Sequence, residues 1–193
     1  MKKNYLKLVN KDHKIQDYER PKQLVQAPFA KEGILLDPLV ASQLEKLLKE
    51  TGLEGQVKVI DGYRSKQTQQ SLWEDTIKEK GMVFANKYVA KPGCSEHELG
   101  LAVDVGLAAQ MNDFICPSFT NSPVVDKFLA NMSDFGFILR YQKGKESITN
   151  ISYEPWHFRY VGTPHSSIML QQNWVLEEYI EFLHSFGATA NEA

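Results

Sequence analysis

Residues 135–161, FGFILRYQKGKESITNISYEPWHFRYV, decide the fold. Three short runs rich in β-branched and aromatic residues, FGFILRY, SITNISY and WHFRYV, are separated by the polar turn QKGKE and predict an antiparallel sheet. Immediately upstream, Ser122 and Pro123 open a helix whose apolar face carries Val125, Phe128, Leu129 and Met132, and Gly136 ends it. Downstream, Thr163 with Pro164, and then Asn173, start two helical segments bearing Ile168, Met169, Val175, Leu176, Tyr179 and Leu183. Working towards the N-terminus, SKQTQQSLWEDTIKEKG reads as a helix through Leu72, Trp73 and Ile77 that stops at Gly81. A short strand at Val57, Val59 and Ile60 precedes it, with Arg64 at the junction. Asp37 and Pro38 then cap a core-facing helix with Val40, Leu44, Leu47 and Leu48 on one side. Residues 1–35 carry Pro21 and Pro28 without a long period, which predicts an extended, partly docked arm. The expected fold is α+β, one domain over residues 1–193, with a small central antiparallel sheet flanked by helices.

The chain of 193 residues is long enough to bury a continuous core without a structural metal or disulfide staple. Twenty-two basic and twenty-four acidic residues give a net charge of −2, which argues against a nucleic-acid partner. Lys7, Asn10 and Lys11 interrupt any apolar run near the start, and no stretch could span a bilayer, so the expected location is the cytoplasm, with no membrane insertion. Cys94 and Cys116 do not make a disulfide framework, and Cys94 reads as a small buried thiol.

Three segments concentrate groups able to do chemistry: DGYRSKQTQ from Asp61, GCSEHELGLAVDVG from Gly93 and YEPWHFRYVG from Tyr153. Asp104 interrupts the apolar run Leu101, Ala102, Val103 and Val105, and His157 lies between Trp156 and Phe158; each needs a partner. With His97, seven residues before Asp104, they make two imidazoles and one carboxylate, a set suited to catalytic zinc with a fourth position open for water. Glu154 is the candidate general base, although its spacing from His157 depends on how Pro155 bends the chain.

Together the segments resemble the zinc D-Ala-D-Ala carboxypeptidase family that includes the VanY-type and VanX-type enzymes. The resemblance rests on Gly62, Tyr63, Arg64, Ser65 and Gln69; on Ser95, Glu96, His97, Gly100, Ala102 and Asp104; and on Glu154, Pro155, Trp156, His157, Arg159 and Tyr160. It is nearest to VanXY-type bifunctional D,D-dipeptidase/D,D-carboxypeptidases. The resemblance implies one Zn2+ per chain held by His97, Asp104 and His157, Glu154 as base, and Arg64 stabilising the oxyanion. Gln69 and Ser95 would contact the substrate. The implied substrates are the D-Ala-D-Ala dipeptide and D-Ala-terminated peptidoglycan precursors, and the implied role is vancomycin resistance.

Asp61 stands where carboxypeptidases of this family often have Ser, and it is expected to favour the dipeptide by facing its ammonium group. Ordinary readings exist beside these: an exposed ion pair for Arg64, caps for Gln69 and Ser95, and a turn at Asp61–Gly62. His13, His165 and His184 read as surface or capping residues, Glu98 as solvent-facing, and the segments Phe84–Gly93 and Gln110–Ser122 as possible walls of the pocket. Two other functions fit the motifs less well: a peptidoglycan L,D-endopeptidase of the same superfamily, and a noncatalytic zinc-containing binding module.

Overall fold

The computed structural model describes residues 3–187; Met1 and Lys2 of the expected arm and the last six residues of the expected domain lie outside it. A two-stranded hairpin, β1 (Val25–Gln26) and β2 (Leu35–Leu36), leads into helix α1 (Pro38–Glu50). Then come β3 (Val57–Asp61), α2 (Lys66–Lys80), α3 (Met82–Tyr88), β4 (Ala102–Leu107), α4 (Pro123–Asn131) and β5 (Phe137–Leu139). A one-turn α5 (Glu146–Thr149), β6 (His157–Tyr160), α6 (His165–Gln172) and α7 (Leu176–Ser185) complete the order. The main sheet is antiparallel throughout, in the order β3-β4-β6-β5, so β4 and β6 are its inner strands. This is the α+β single domain expected from sequence.

Caps set the helix starts. Asp37 accepts from the N–H groups of Leu39 and Val40, Ser65 from Thr68 and Ser122 from Val124, each satisfying an otherwise unpaired amide. The face of α1 with Val40, Leu44, Leu47 and Leu48 is buried against the sheet residues Val57, Val59, Val103, Val105 and Phe158. Phe158 meets Phe128 of α4 and Phe119 at ring-centroid distances of 4.7 and 5.8 Å. A second apolar cluster, Leu6, Ile138, Val161, Met169, Leu176, Tyr179 and Ile180, fastens α6, α7 and the N-terminal segment to the far edge. Leu6, Val9 and Ile15 of that segment are buried, and Ile15 N–H donates to the Gly93 carbonyl over 2.9 Å.

Three local expectations are corrected, and one strand was not foreseen. Asn173 does not start a helix: it ends α6 in the left-handed region, and α7 begins at Leu176. The wall segment 84–93 is not all loop, because α3 extends to Tyr88. SITNISY is not a strand: Glu146–Thr149 forms one helical turn, Asn150 is left-handed, and Ser152 N–H bonds to Lys87 O, so this segment closes over α3 rather than joining the sheet. The central strand is instead Ala102–Leu107, buried at every position, whose near-continuous apolar sequence lacks the alternation of a half-exposed strand.

Because side chains alternate along β6, Phe158 points into the aromatic core while His157 and Arg159 point to the opposite face. Phe158→Ala is expected to cost about 3–5 kcal/mol of unfolding free energy. A denaturant titration measures this, and a loss below about 1 kcal/mol would contradict the packing described.

Candidate metal centre and active-site cavity

The antiparallel register places Asp61 of β3 opposite Asp104 of β4, and Asp104 opposite His157 of β6, in one row across the sheet. A register shift between Val59 and Asp61 gives β3 one extra residue at this row, as a β-bulge beside a site commonly does. His97 comes from a 3₁₀ turn, Glu96–Leu99, which Gly100 ends in the left-handed region at φ 69°. A Cβ on Gly100 would lie 3.0 Å from Leu24 Cδ2 and 3.2 Å from the Asp37 amide, so glycine lets this turn sit close against the start of α1.

His97, Asp104 and His157 are buried, and one candidate ligand atom from each lies within 4.8 Å of the others. His97 Nδ1–H donates to the Gly62 carbonyl over 2.6 Å, which leaves Nε2 facing Asp104 Oδ2 at 3.4 Å. His157 presents Nδ1 to Asp104 Oδ1 at 2.9 Å and to Glu154 Oε2 at 3.8 Å. His97 Nε2 has no hydrogen-bond partner despite its burial, and Asp104 Oδ1 has none beyond its ion pair with His157. Unpaired buried polar atoms are costly, so their convergence fits a cation held between two imidazoles and a carboxylate.

Without a metal, the buried groups shift one another's proton affinities. Burial would raise Asp104, but His97 and His157 hold it well below the ordinary carboxylate range. Burial would lower His157, yet Asp104 raises it to about 9. Glu154 is pushed up to about 8, first by burial and then by Asp104. Glu96 is held low by Arg159 and Arg140 against its own burial.

The cavity is lined by Arg64, Ser95, Glu96, His97, Asp104, Glu154 and His157 together with apolar walls. The wall residues include Tyr88, Val89 and Ala90 from one expected pocket segment and Phe114 and Ile115 from the other. Of the eight site residues expected from sequence, six line the cavity; Asp61 and Gln69 lie behind Arg64. Asp61 Oδ1 accepts from Gly62 N–H at 2.8 Å, and Asp61 Oδ2 is 2.9 Å from Arg64 Nε. Arg64 Nη1 donates to Gln69 Oε1 at 2.8 Å, while Gln69 Nε2 donates to Ala90 O at 2.6 Å. Gln69 therefore grips the arginine instead of the cavity, and the charge of Asp61 is matched by Arg64 instead of standing free for a substrate ammonium.

Glu98 is also corrected. It is buried, with Oε1 accepting from Gly93 N–H at 2.6 Å and Oε2 from Arg20 Nη1 at 2.9 Å, so it ties the histidine turn to the N-terminal segment. The sequence reading assigned no role to Glu96, Arg140, Tyr141 or Arg159. Their signal was an arginine at the end of one apolar run, FILR, and another inside the next, HFRY, since a charge in a buried strand needs a buried counter-charge.

A buried His–Asp–His set with an acid beside it, opening to a small cavity, is the arrangement of a mononuclear zinc hydrolase. The pattern of the VanY family, D-alanyl-D-alanine carboxypeptidase, matches residues 33–163, and the chain belongs to that family. It is 50% identical over 181 residues to the bifunctional D-Ala-D-Ala dipeptidase and D-Ala-D-Ala carboxypeptidase VanXYC of Enterococcus gallinarum, covering 93% of this chain and 95% of that one. Its fold matches the crystal structure of the vancomycin resistance D,D-dipeptidase VanXYg in complex with a D-Ala-D-Ala phosphinate analogue. There the TM-score is 0.89 and the identity 40%, over 93% of this chain and 71% of that one. It also matches a mutant of the D,D-pentapeptidase VanY from a VanB-type resistance cassette in complex with Zn(II), with a TM-score of 0.73 and 30% identity over 91% and 98% of the two chains. Among the described residues no helix is long and apolar enough to cross a membrane.

Because the folded protein holds Glu154 at about 8, the unfolded chain ionises this carboxyl first. In the metal-free protein the native state is therefore penalised increasingly as pH rises from the ordinary carboxyl range through about 8. Metal-free Glu154→Gln should match wild type near pH ~4 and exceed it at pH ~9, by on the order of 2–4 kcal/mol. Urea unfolding at the two pH values measures the difference, and a variant that is no more stable at the higher pH would refute the buried, neutral carboxyl.

Proposed function

We propose that this chain is a zinc-dependent D,D-peptidase that hydrolyses the D-Ala-D-Ala dipeptide and removes the terminal D-Ala from peptidoglycan pentapeptide precursors. One zinc ion per chain would be held by His97 through Nε2, Asp104 through a carboxylate oxygen and His157 through Nδ1. The observation that carries this reading is the convergence of those three groups within 4.8 Å, with Glu154 3.8 Å from His157 on the cavity wall. When bound, zinc supplies Lewis acidity that polarises the scissile carbonyl and acidifies a water molecule.

The protein's own groups do the rest. Glu154 takes the proton of the attacking water and returns it to the leaving amine, a task favoured by a carboxyl poised near neutral pH. Arg64 donates to the carbonyl oxygen as negative charge develops there, an interaction stronger in the transition state than in the ground state. Asp61 and Gln69 hold the guanidinium in place from behind, and Ser95 offers a hydroxyl to the substrate backbone. Leu72, Val89, Ala90 and Trp156 supply apolar walls suited to the methyl groups of alanine. We place the enzyme in the cytoplasm, where both substrates are made. There it would deplete D-Ala-D-Ala termini and spare modified ones, contributing to vancomycin resistance.

Release of free D-Ala from D-Ala-D-Ala and from a D-Ala-D-Ala-terminated pentapeptide tests the assignment directly. Zinc-loaded wild type should act on both substrates, and Glu154→Ala should lose about 10²–10⁴-fold in rate on each. Release from neither substrate would discard the D,D-peptidase reading in favour of an endopeptidase or a noncatalytic module. Asp61→Asn should slow both substrates to a similar extent, because the residue acts through Arg64. A loss confined to the dipeptide would instead place Asp61 at the substrate ammonium.

A further inference from the structure

We propose that Glu96 is the positioning residue that fixes the tautomer of His157, and that it is held in place by a charge-balanced cluster reaching the last helix and the N-terminal segment. The inference rests on the zinc reading above and concerns how one ligand is made ready to bind.

Glu96 is buried at the start of the His97 turn. Its Oε1 accepts from Arg140 Nε at 2.8 Å and from Arg159 Nη1 at 2.6 Å. Its Oε2 has no hydrogen-bond partner and lies 3.6 Å from His157 Nε2, which has none either. Two guanidinium groups on one oxygen fix the carboxylate's rotation, so the second oxygen is committed to the imidazole. A carboxylate accepts hydrogen bonds and donates none, so the ring nitrogen facing it must carry hydrogen. Of the two ring nitrogens, Nε2 then retains its hydrogen, and Nδ1, the nitrogen that faces Asp104 and Glu154, is the one that gives up its proton when a metal binds. A ligand histidine commonly has its other nitrogen engaged by a carboxylate in this way.

The supports of Glu96 come from elsewhere in the chain. Glu177 of α7 grips Arg140 with both oxygens, at 2.8 and 2.7 Å. Arg159 Nη2 donates to the carbonyls of Tyr5 and Lys7 at 2.9 and 2.8 Å, and its Nε to Tyr160 O at 3.0 Å. Two buried arginines face two carboxylates, so the cluster is neutral and Glu96 need not turn from His157 to offset excess positive charge.

Glu96→Gln tests the proposal without changing side-chain size. Both guanidinium groups still require an acceptor, so the amide oxygen takes the Oε1 place and the NH₂ group faces His157 Nε2. Two donors then oppose each other unless the ring proton moves to Nδ1, where it blocks the metal side. Zinc affinity, measured by competition with a chelator, should fall by about 10–100-fold in a variant whose circular dichroism spectrum stays native. A folded variant that binds zinc within about threefold of wild type overturns the proposal. If Glu96→Gln does not fold, ¹⁵N-edited NMR of the zinc-loaded wild type decides the matter. Hydrogen on His157 Nε2 with zinc on Nδ1 supports the assignment, and the reverse overturns it. Wild type that takes up no zinc would refute the zinc reading itself, a result distinct from normal uptake by both proteins.

Discussion

Asp104 and His157 face each other across the two inner strands of the main sheet, 2.9 Å apart and shielded from water, and much of the architecture serves that pair. Taking two ionisable groups out of water costs several kcal/mol each, and their attraction offsets this only when geometry is fixed and the remaining polar atoms find partners. Inner-strand positions fix the geometry through cross-strand hydrogen bonds on both sides. Alternation of the side chains then puts Val103, Val105 and Phe158 on the other face, where apolar burial stabilises the same two strands that carry the costly groups.

Buried charge spreads outward from the pair in matched steps. His157 is backed by Glu96, Glu96 by Arg140 and Arg159, and Arg140 by Glu177; Asp61 is matched by Arg64 in the same manner. Glu177 and the carbonyls of Tyr5 and Lys7 lie outside the segment 33–163 that carries the family pattern. The peripheral elements thus do more than cover apolar surface. They complete the electrostatics of a site whose candidate ligands all lie inside that segment.

Sequence revealed α1, α2, α4 and α6 because their signals are local: Asp37 with Pro38, Ser122 with Pro123 and Thr163 with Pro164 each announce a start, and the spacing of Leu44, Leu47 and Leu48 announces a buried face. Asp104 and His157 stood out because each interrupts apolar surroundings, and the resemblance to the carboxypeptidase family joined His97 to them as candidate ligands. What stayed hidden depends on contacts distant in sequence. Leu101 to Leu107 reads as an apolar run because both faces of β4 are covered, so period-two alternation is missing. Glu98 reads as solvent-facing because its partners, Arg20 and the Gly93 amide, meet it only in the folded chain. SITNISY has strand composition, yet Asn150 takes a left-handed conformation and the segment is held over α3. Asp61 and Gln69 read from sequence as substrate contacts, but which side of Arg64 they occupy depends on the bulge in β3 and on the Ala90 carbonyl.

The raised values of His157 and Glu154 have a common consequence for how the centre accommodates a dication. Near neutral pH, without metal, His157 carries a proton against Asp104, and Glu154 is neutral. The buried charge of these three groups then sums to zero, which is the cheapest state for a dry site. Offering Nδ1 to a metal requires His157 to lose its proton, and a cation nearby draws Glu154 back to the carboxylate. One dication would thereby be exchanged for two protons, leaving the net charge of the cavity unchanged. On the proposed zinc reading, Glu154 would become a base only with the metal in place, so burial, which opposes its ionisation in the metal-free protein, would also make its basicity conditional on the metal.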